Sequence, residues 1–189
     1  MGQAQKQLSI KIFVPIVLIA IAWCMEIIDQ LIFSGKFNLA MGPGSPFWTI
    51  FTAPFSHAGF EHLFANTVAF IPLSYLVLAN SLKAYIAVWI FTLLLEIPIW
   101  LFWPIGGHGI SGIVYALFGY LATIGFIEKR ILSILLTIIC FFLYGHFLTS
   151  LLPWNSPAGT SWVGHFSGFT AGIISAFAIS KDDSEKQRI

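Results

Sequence analysis

The run IPIWLFWPIGGHGISGIVYALFGYLATIGFI, residues 97–127, contains no Asp, Glu, Lys or Arg, and residues 131–180 contain none either. Both stretches exceed the ~20 apolar residues that one helix needs to cross a ~30 Å hydrocarbon layer. The whole chain follows the same pattern: of 189 residues, 58% are apolar and 9% are charged, against about 25% charged in an average soluble domain. Mean hydropathy is +0.87. The sequence therefore reads as an all-α polytopic membrane protein. Its length leaves room for spans and short connections, so residues 1–189 are expected to form a single membrane domain.

Working outward from residues 97–127, the Pro104–Gly109 segment divides that run into two spans. Ser34-Gly35-Lys36, Gly42-Pro43-Gly44, Asn80 to Lys83, Glu128-Lys129-Arg130 and Pro153 to Pro157 supply the other breaks. Six helices follow, at 12–33, 60–80, 83–103, 110–128, 131–152 and 161–180. The first apolar run is too long for a removable signal peptide, carries Glu26 and Asp29, and has no evident small-residue cleavage site, so it is expected to remain.

Lys6, Lys11, Lys83, Lys129, Arg130, Lys181, Lys186 and Arg188 fall on one side of this arrangement, and Lys36 alone on the other. By the positive-inside rule both termini are expected in the cytoplasm. Spans two, four and six then begin at the outer surface, where Trp48, Trp103, Trp154 and Trp162 serve as interfacial anchors. A net charge of +1 and no basic run longer than Lys129–Arg130 exclude a nucleic-acid-binding protein. Cys24 and Cys140 lie in apolar runs as small hydrophobes and imply no disulfide framework.

Polar groups in membrane helices are costly unless partnered or facing water, which makes each one a functional candidate. Three clusters sit at the outer starts of three spans. Gly109-Ile110-Ser111-Gly112 opens the fourth, with Ser111 in a helical first turn whose backbone N–H groups lack intrahelical acceptors. Considered alone, this is more often a cap and a packing patch than a nucleophile, and the G-x-S-x-G elbow is not matched. His165 opens the sixth span beside a stripe formed by Gly164, Gly168, Gly172 and Ala176, on which a neighbouring helix can pack closely. An imidazole there can act as a general base; as a packing histidine it needs no further role.

The third cluster, His57 to Asn66, places His62 and Asn66 four residues apart on one face of the second span, both able to donate to a developing oxyanion. A metal site of His57, His62 and His165 is disfavoured by the lack of an H-E-x-x-H spacing, and no cofactor is implied. His108 and His146 fit none of the clusters and read as structural. Glu26, Asp29 and Glu96 read as interfacial or helix-pairing groups, with a part in shaping substrate entry as the alternative. Nucleophile, base and oxyanion donors together define acyl transfer, which makes three independent packing accidents the costlier explanation.

With these residues in place, the sequence resembles the rhomboid intramembrane serine proteases of the minimal six-helix bacterial type. The matching elements are His57-x4-His62-x3-Asn66, Gly109-x-Ser111-Gly112 followed by Ile-Val-Tyr-Ala-Leu-Phe-Gly-Tyr, and His165-x2-Gly168-x3-Gly172, in family order across spans two to six. The resemblance implies a Ser111–His165 dyad and an oxyanion hole of His62, Asn66 and the Ser111 backbone N–H. Tyr115 would orient the His165 ring, Gly168 would permit close approach of two helices, and His57 would organise the second span and the loop before it. It implies transmembrane protein substrates within the lipid bilayer of a bacterial inner membrane, cleaved at a site opening outward. The Pro153–Ser161 loop is then a candidate cap.

Two alternatives stay within the fold: a catalytically silent rhomboid-like protein that binds membrane clients, and a rhombosortase-like enzyme that processes C-terminal anchors. A transporter would call for charges near mid-membrane and an internal repeat, neither of which the sequence displays. Nothing in the sequence sets an oligomeric state.

Overall fold

Six helices in the computed structural model are long and apolar enough to cross a membrane. The structure describes residues 2–37, 39–155 and 161–186. Helix α1 (Gln3–Ile28) continues as a π turn over Asp29–Phe33, and a short α2 (Thr49–Thr52) runs into a 3-10 turn, Ala53–Phe55. Helices α3 (Phe60–Asn80), α4 (Leu82–Phe102) and α5 (Ser111–Glu128) follow. Helix α6 (Ile131–Tyr144) extends as a 3-10 turn to Leu151, and α7 spans Trp162–Lys186. The expected spans agree with these elements within a few residues, except at the N-terminus, where α1 begins nine residues earlier than 12, and in α7, which runs beyond 180.

Helix α5 is the axis of the bundle. It packs against α3, α4, α6 and α7, and 72% of its membrane span is buried against 22% for the α6 segment. Glycines on α5 and α7 explain how these two helices come so close. A Cβ at Gly119 would overlap the Phe169 carbonyl, and one at Gly172 would overlap the Ala116 carbonyl. Without a hydrophobic driving force between helices in lipid, contacts of this kind supply the dispersion energy of association. Buried polar groups assist: Gly125 N–H donates to Thr137 Oγ1 at 3.0 Å, and that hydroxyl donates to the Leu121 carbonyl at 2.5 Å. Large apolar side chains point away from the bundle, Phe142, Phe102 and Leu31 among them. In a membrane they meet lipid tails rather than water.

The connection between α1 and α3 folds back onto the bundle. Met41 and Gly107 exchange both backbone hydrogen bonds at 2.9 Å, and Trp100 Nε1 donates to the Ser45 carbonyl at 2.9 Å. The α2 turn, absent from the sequence expectation, is reached through this segment, and Gly109 N–H donates to the Ala53 carbonyl at 2.8 Å. The α4–α5 loop that precedes Ser111 is therefore held by the 3-10 turn that follows α2 and by residue 41. Glu26 and Asp29 are buried: Glu26 accepts from Gln30 Nε2 at 2.8 Å, and Asp29 accepts the Phe37 N–H at 2.7 Å, closing the end of α1.

Candidate active site

Ser111 is the first residue of α5, so its N–H and that of Gly112 precede the first intrahelical bond, from Val114 N–H to the Ile110 carbonyl at 3.0 Å. Gly109 sets up this start with φ +102°, a conformation that side-chain-bearing residues rarely adopt. The space beside it is taken by imidazoles: a Cβ at Gly109 would lie 3.3 Å from His62 Cε1 and 3.6 Å from His57 Cδ2.

His57 is tied into the turn directly. Its Nε2 accepts the Ile110 N–H at 3.2 Å, and its ring meets that of His62 edge-on with centroids 5.5 Å apart. Burial, followed by the neighbouring His62 and His108, pushes its pKa down to about 3, so Nε2 stays free to accept. His57 thus clamps the residue ahead of Ser111, in the α4–α5 loop.

Asn66 lies one turn beyond His62 on α3, buried, with Nδ2 making no hydrogen bond. It is not among the residues that wall the cavity described below. On α7, the His165 ring stacks on Tyr115 with centroids 4.1 Å apart and planes at 15°, and Tyr115 also stacks on Phe147 at 5.0 Å. Ser111 and Tyr115 are four apart on α5 and share a face, so the ring stacked on Tyr115 borders the face that carries Ser111. The helices are in direct contact there, because a Cβ at Gly168 would overlap the Gly112 carbonyl. His165 Nδ1 lies 3.4 Å from the Ser150 carbonyl. No hydrogen bond joins the Ser111 hydroxyl to His165 among those of the described residues.

A cavity of about 330 Å³ opens beside Ser111, with His62, Gly109 and Gly112 in its wall. Two further wall residues, Glu96 and His108, lie outside the three polar clusters of the sequence. Glu96, expected as an interfacial or helix-pairing group, is buried on α4 against Gly112 of α5. His108 was read as structural; its position between two glycines one residue before Gly109 is the signal that could have found it. His146, by contrast, is exposed and meets only the edge of Phe147 among the described rings. Among the described residues no group of three His, Cys, Asp or Glu side chains could hold a metal ion. Of the expected Pro153–Ser161 cap, residues 156–160 lie outside the described residues.

Six membrane-spanning helices, α5 among them, define a multi-pass integral membrane protein. The rhomboid domain signature matches residues 44–182, and the chain belongs to the rhomboid family. It is 28% identical over 185 residues to proteins of Mycobacterium bovis and Mycobacterium tuberculosis, covering 90% of this chain and 76% of each relative. A Mycobacterium leprae protein is 28% identical over 184 residues, covering 90% of this chain and 72% of its own length. All three carry the description uncharacterized protein.

Proposed function

We propose that this chain is an intramembrane serine endopeptidase that hydrolyses peptide bonds in or next to transmembrane segments of other membrane proteins. The observation that carries this reading is the His165 ring stacked on Tyr115, one turn from Ser111 on the same helical face, beside a cavity that Ser111 itself lines. In the proposed reaction Ser111 Oγ attacks the scissile carbonyl carbon and passes its proton to His165 Nε2. The Ser150 carbonyl supports the required tautomer by accepting from Nδ1–H, which leaves Nε2 with its lone pair. Rotation of the Ser111 side chain closes the hydrogen bond; such bonds tighten when substrate is engaged.

Charge developing on the carbonyl oxygen meets the Ser111 N–H, His62 and the otherwise unpaired Nδ2 of Asn66. As the C–N bond breaks, His165 returns its proton to the leaving amine. Water then attacks the acyl-enzyme, again losing its proton to His165, and Ser111 is regenerated. In place of an acidic third member, the Tyr115 stack and the Ser150 carbonyl fix the imidazole. His57, Gly109, Gly112 and Gly168 act by shaping the turn and the α5–α7 contact. The reading also holds that residues 1–189 are one domain in a bacterial inner membrane, with cytoplasmic termini and a cavity opening outward.

The test is reconstitution with a tagged single-span substrate and comparison of the wild type with Ser111→Ala and His165→Ala. Cleavage by the wild type alone, with fluorophosphonate labelling of Ser111, is the expected result. Equal cleavage by all three removes the assignment, and binding without cleavage points to a client-binding protein instead.

A further inference from the structure

Of the described residues walling the cavity beside Ser111, Glu96 alone is acidic. It is only 7% exposed, and no hydrogen bond or ion pair joins it to another described residue. The donors on and around α4 are engaged elsewhere, Thr92 Oγ1 with the Val88 carbonyl at 2.7 Å, Trp100 Nε1 with the Ser45 carbonyl at 2.9 Å, and Ser167 Oγ with the Leu95 carbonyl at 3.2 Å. A buried carboxyl without a partner is costly, and the cost falls when a hydrogen-bond donor arrives. Glu96 therefore marks a place in the cavity for a polar group that the protein itself does not supply.

The geometry limits how that group can be carried. A Cβ at Gly112 would lie 2.8 Å from Glu96 Oε1, so adding a carbon–carbon bond of ~1.5 Å puts the carboxyl within ~4.5 Å of the Gly112 Cα. The Ser111 Cα is ~3.8 Å further along the chain. Carboxyl and nucleophile thus stand little more than one residue apart, and a substrate side chain between them has room for about two heavy atoms. A longer one would meet the carboxyl before its end was seated. Charge is disfavoured as well: the same Cβ would find only the Gly164 carbonyl at 3.8 Å and the Thr92 methyl at 3.9 Å beyond the carboxyl, so a cation drawn in would exchange its hydration for few partners. A hydroxyl costs far less to bury. It donates to a carboxylate, and it can both donate to and accept from a protonated carboxyl. Serine is the side chain that carries a hydroxyl one bond beyond Cβ.

We propose that Glu96 is a specificity-determining residue that receives the hydroxyl of a substrate serine, the residue whose carbonyl Ser111 attacks. This rests on the protease reading above. The serine O–H donates to a Glu96 oxygen, whereas alanine in the same place fills the gap without reaching the carboxyl. A site built to pair a buried polar group discriminates against an analogue that lacks the partner, because the group is then left unpaired.

The test uses the full-length protein in liposomes with two single-span substrates that differ only at the residue before the cleavage point, serine in one and alanine in the other. The wild type is expected to prefer serine by ~10-fold in kcat/KM, the scale of a hydrogen bond to a buried acceptor. Glu96→Leu, similar in size and without an acceptor, is expected to bring the ratio close to one; Glu96→Met serves for the same comparison where Glu96→Leu does not fold. The two substrates differ in how readily they unwind, and that difference is common to wild type and variant, so the change in ratio reads Glu96 alone. A ratio unchanged by the substitution, or alanine cleaved as fast as serine by the wild type, overturns the inference while leaving the protease reading intact. Cleavage of neither substrate, or equal cleavage by Ser111→Ala, overturns the protease reading and this inference with it.

Discussion

Gly168 on α7 faces the carbonyl of Gly112 on α5 with no room between them for a Cβ atom. The contact lies one residue from Ser111 and one turn from His165, so it fixes how near the two helices carrying the proposed dyad can come. Four residues earlier on α7 the situation differs: the nearest neighbour of a Cβ at Gly164 is Ser161, at an ordinary 3.7 Å. The stripe of small residues is therefore required at Gly168 and Gly172 but not at Gly164.

Gly168→Ala should destabilise the protein by ~1–3 kcal/mol, the usual cost of overpacking, and should lower fluorophosphonate labelling of Ser111. Gly164→Ala should change stability by less than ~0.5 kcal/mol. Thermal unfolding in detergent alongside labelling measures both. Equal stability of the two variants would show that α5 and α7 are not in contact at this level.

In the proposed mechanism Tyr115 orients the His165 ring by the stacking seen between them. Tyr115→Phe keeps the ring and should retain cleavage within a few-fold, whereas Tyr115→Ala should lose at least ~10-fold in kcat, since aromatic pairs contribute ~0.5–1.5 kcal/mol and orientation is lost in addition. The measurement is steady-state cleavage of a single-span substrate. A Phe variant as impaired as the Ala variant would transfer the role to the hydroxyl.

As a proposed oxyanion donor, Asn66 offers a test that separates catalysis from stability. Its Nδ2 makes no hydrogen bond, so truncation leaves no donor's partner stranded, whereas the loss of an oxyanion donor costs on the order of 10²–10³ in rate. Asn66→Ala should therefore lower kcat far more than it lowers the melting temperature. The opposite pattern would make Asn66 a packing residue.

His57 predicts an acid limit to the fold. Its pKa is held at about 3 in the native state, below the ordinary ~6.5 of the unfolded chain. The unfolded state therefore binds the extra proton first as pH falls. The stability this group contributes is present in full above pH ~6.5 and is lost progressively as pH falls toward 3, by ~1.4 kcal/mol per pH unit at most. Unfolding followed between pH 7 and pH 5 should show that slope in the wild type and a weaker one in His57→Gln. Indistinguishable slopes would remove His57 as the titrating group. In the folded protein His57 is protonated, and the Ile110 N–H released, only as pH falls toward 3, so labelling of folded Ser111 should not respond to His57 between pH 7 and pH 5.

Hydropathy and turn residues alone establish six spans, and the residue types and spacing of Ser111, His165, His62 and Asn66 carry the proposed chemistry in the sequence itself. Interruptions such as Pro104–Gly109 are written in residue types whose backbone preferences are local, which is why the boundaries at 60–80 and 131 are readable directly. Depth inside the bundle is not. Lipid-facing and protein-facing positions are both apolar, so the α5 span, 72% buried, and the α6 span, 22% buried, look alike as sequence; glycines at 112, 119 and 125 are the main residue-level trace of the difference. The places of Glu96 and His108 in the cavity wall depend on how α4 and its following loop pack against the start of α5. Contacts between residues on different helices follow from helix rotation and crossing, which side-chain volumes settle collectively and no single segment encodes.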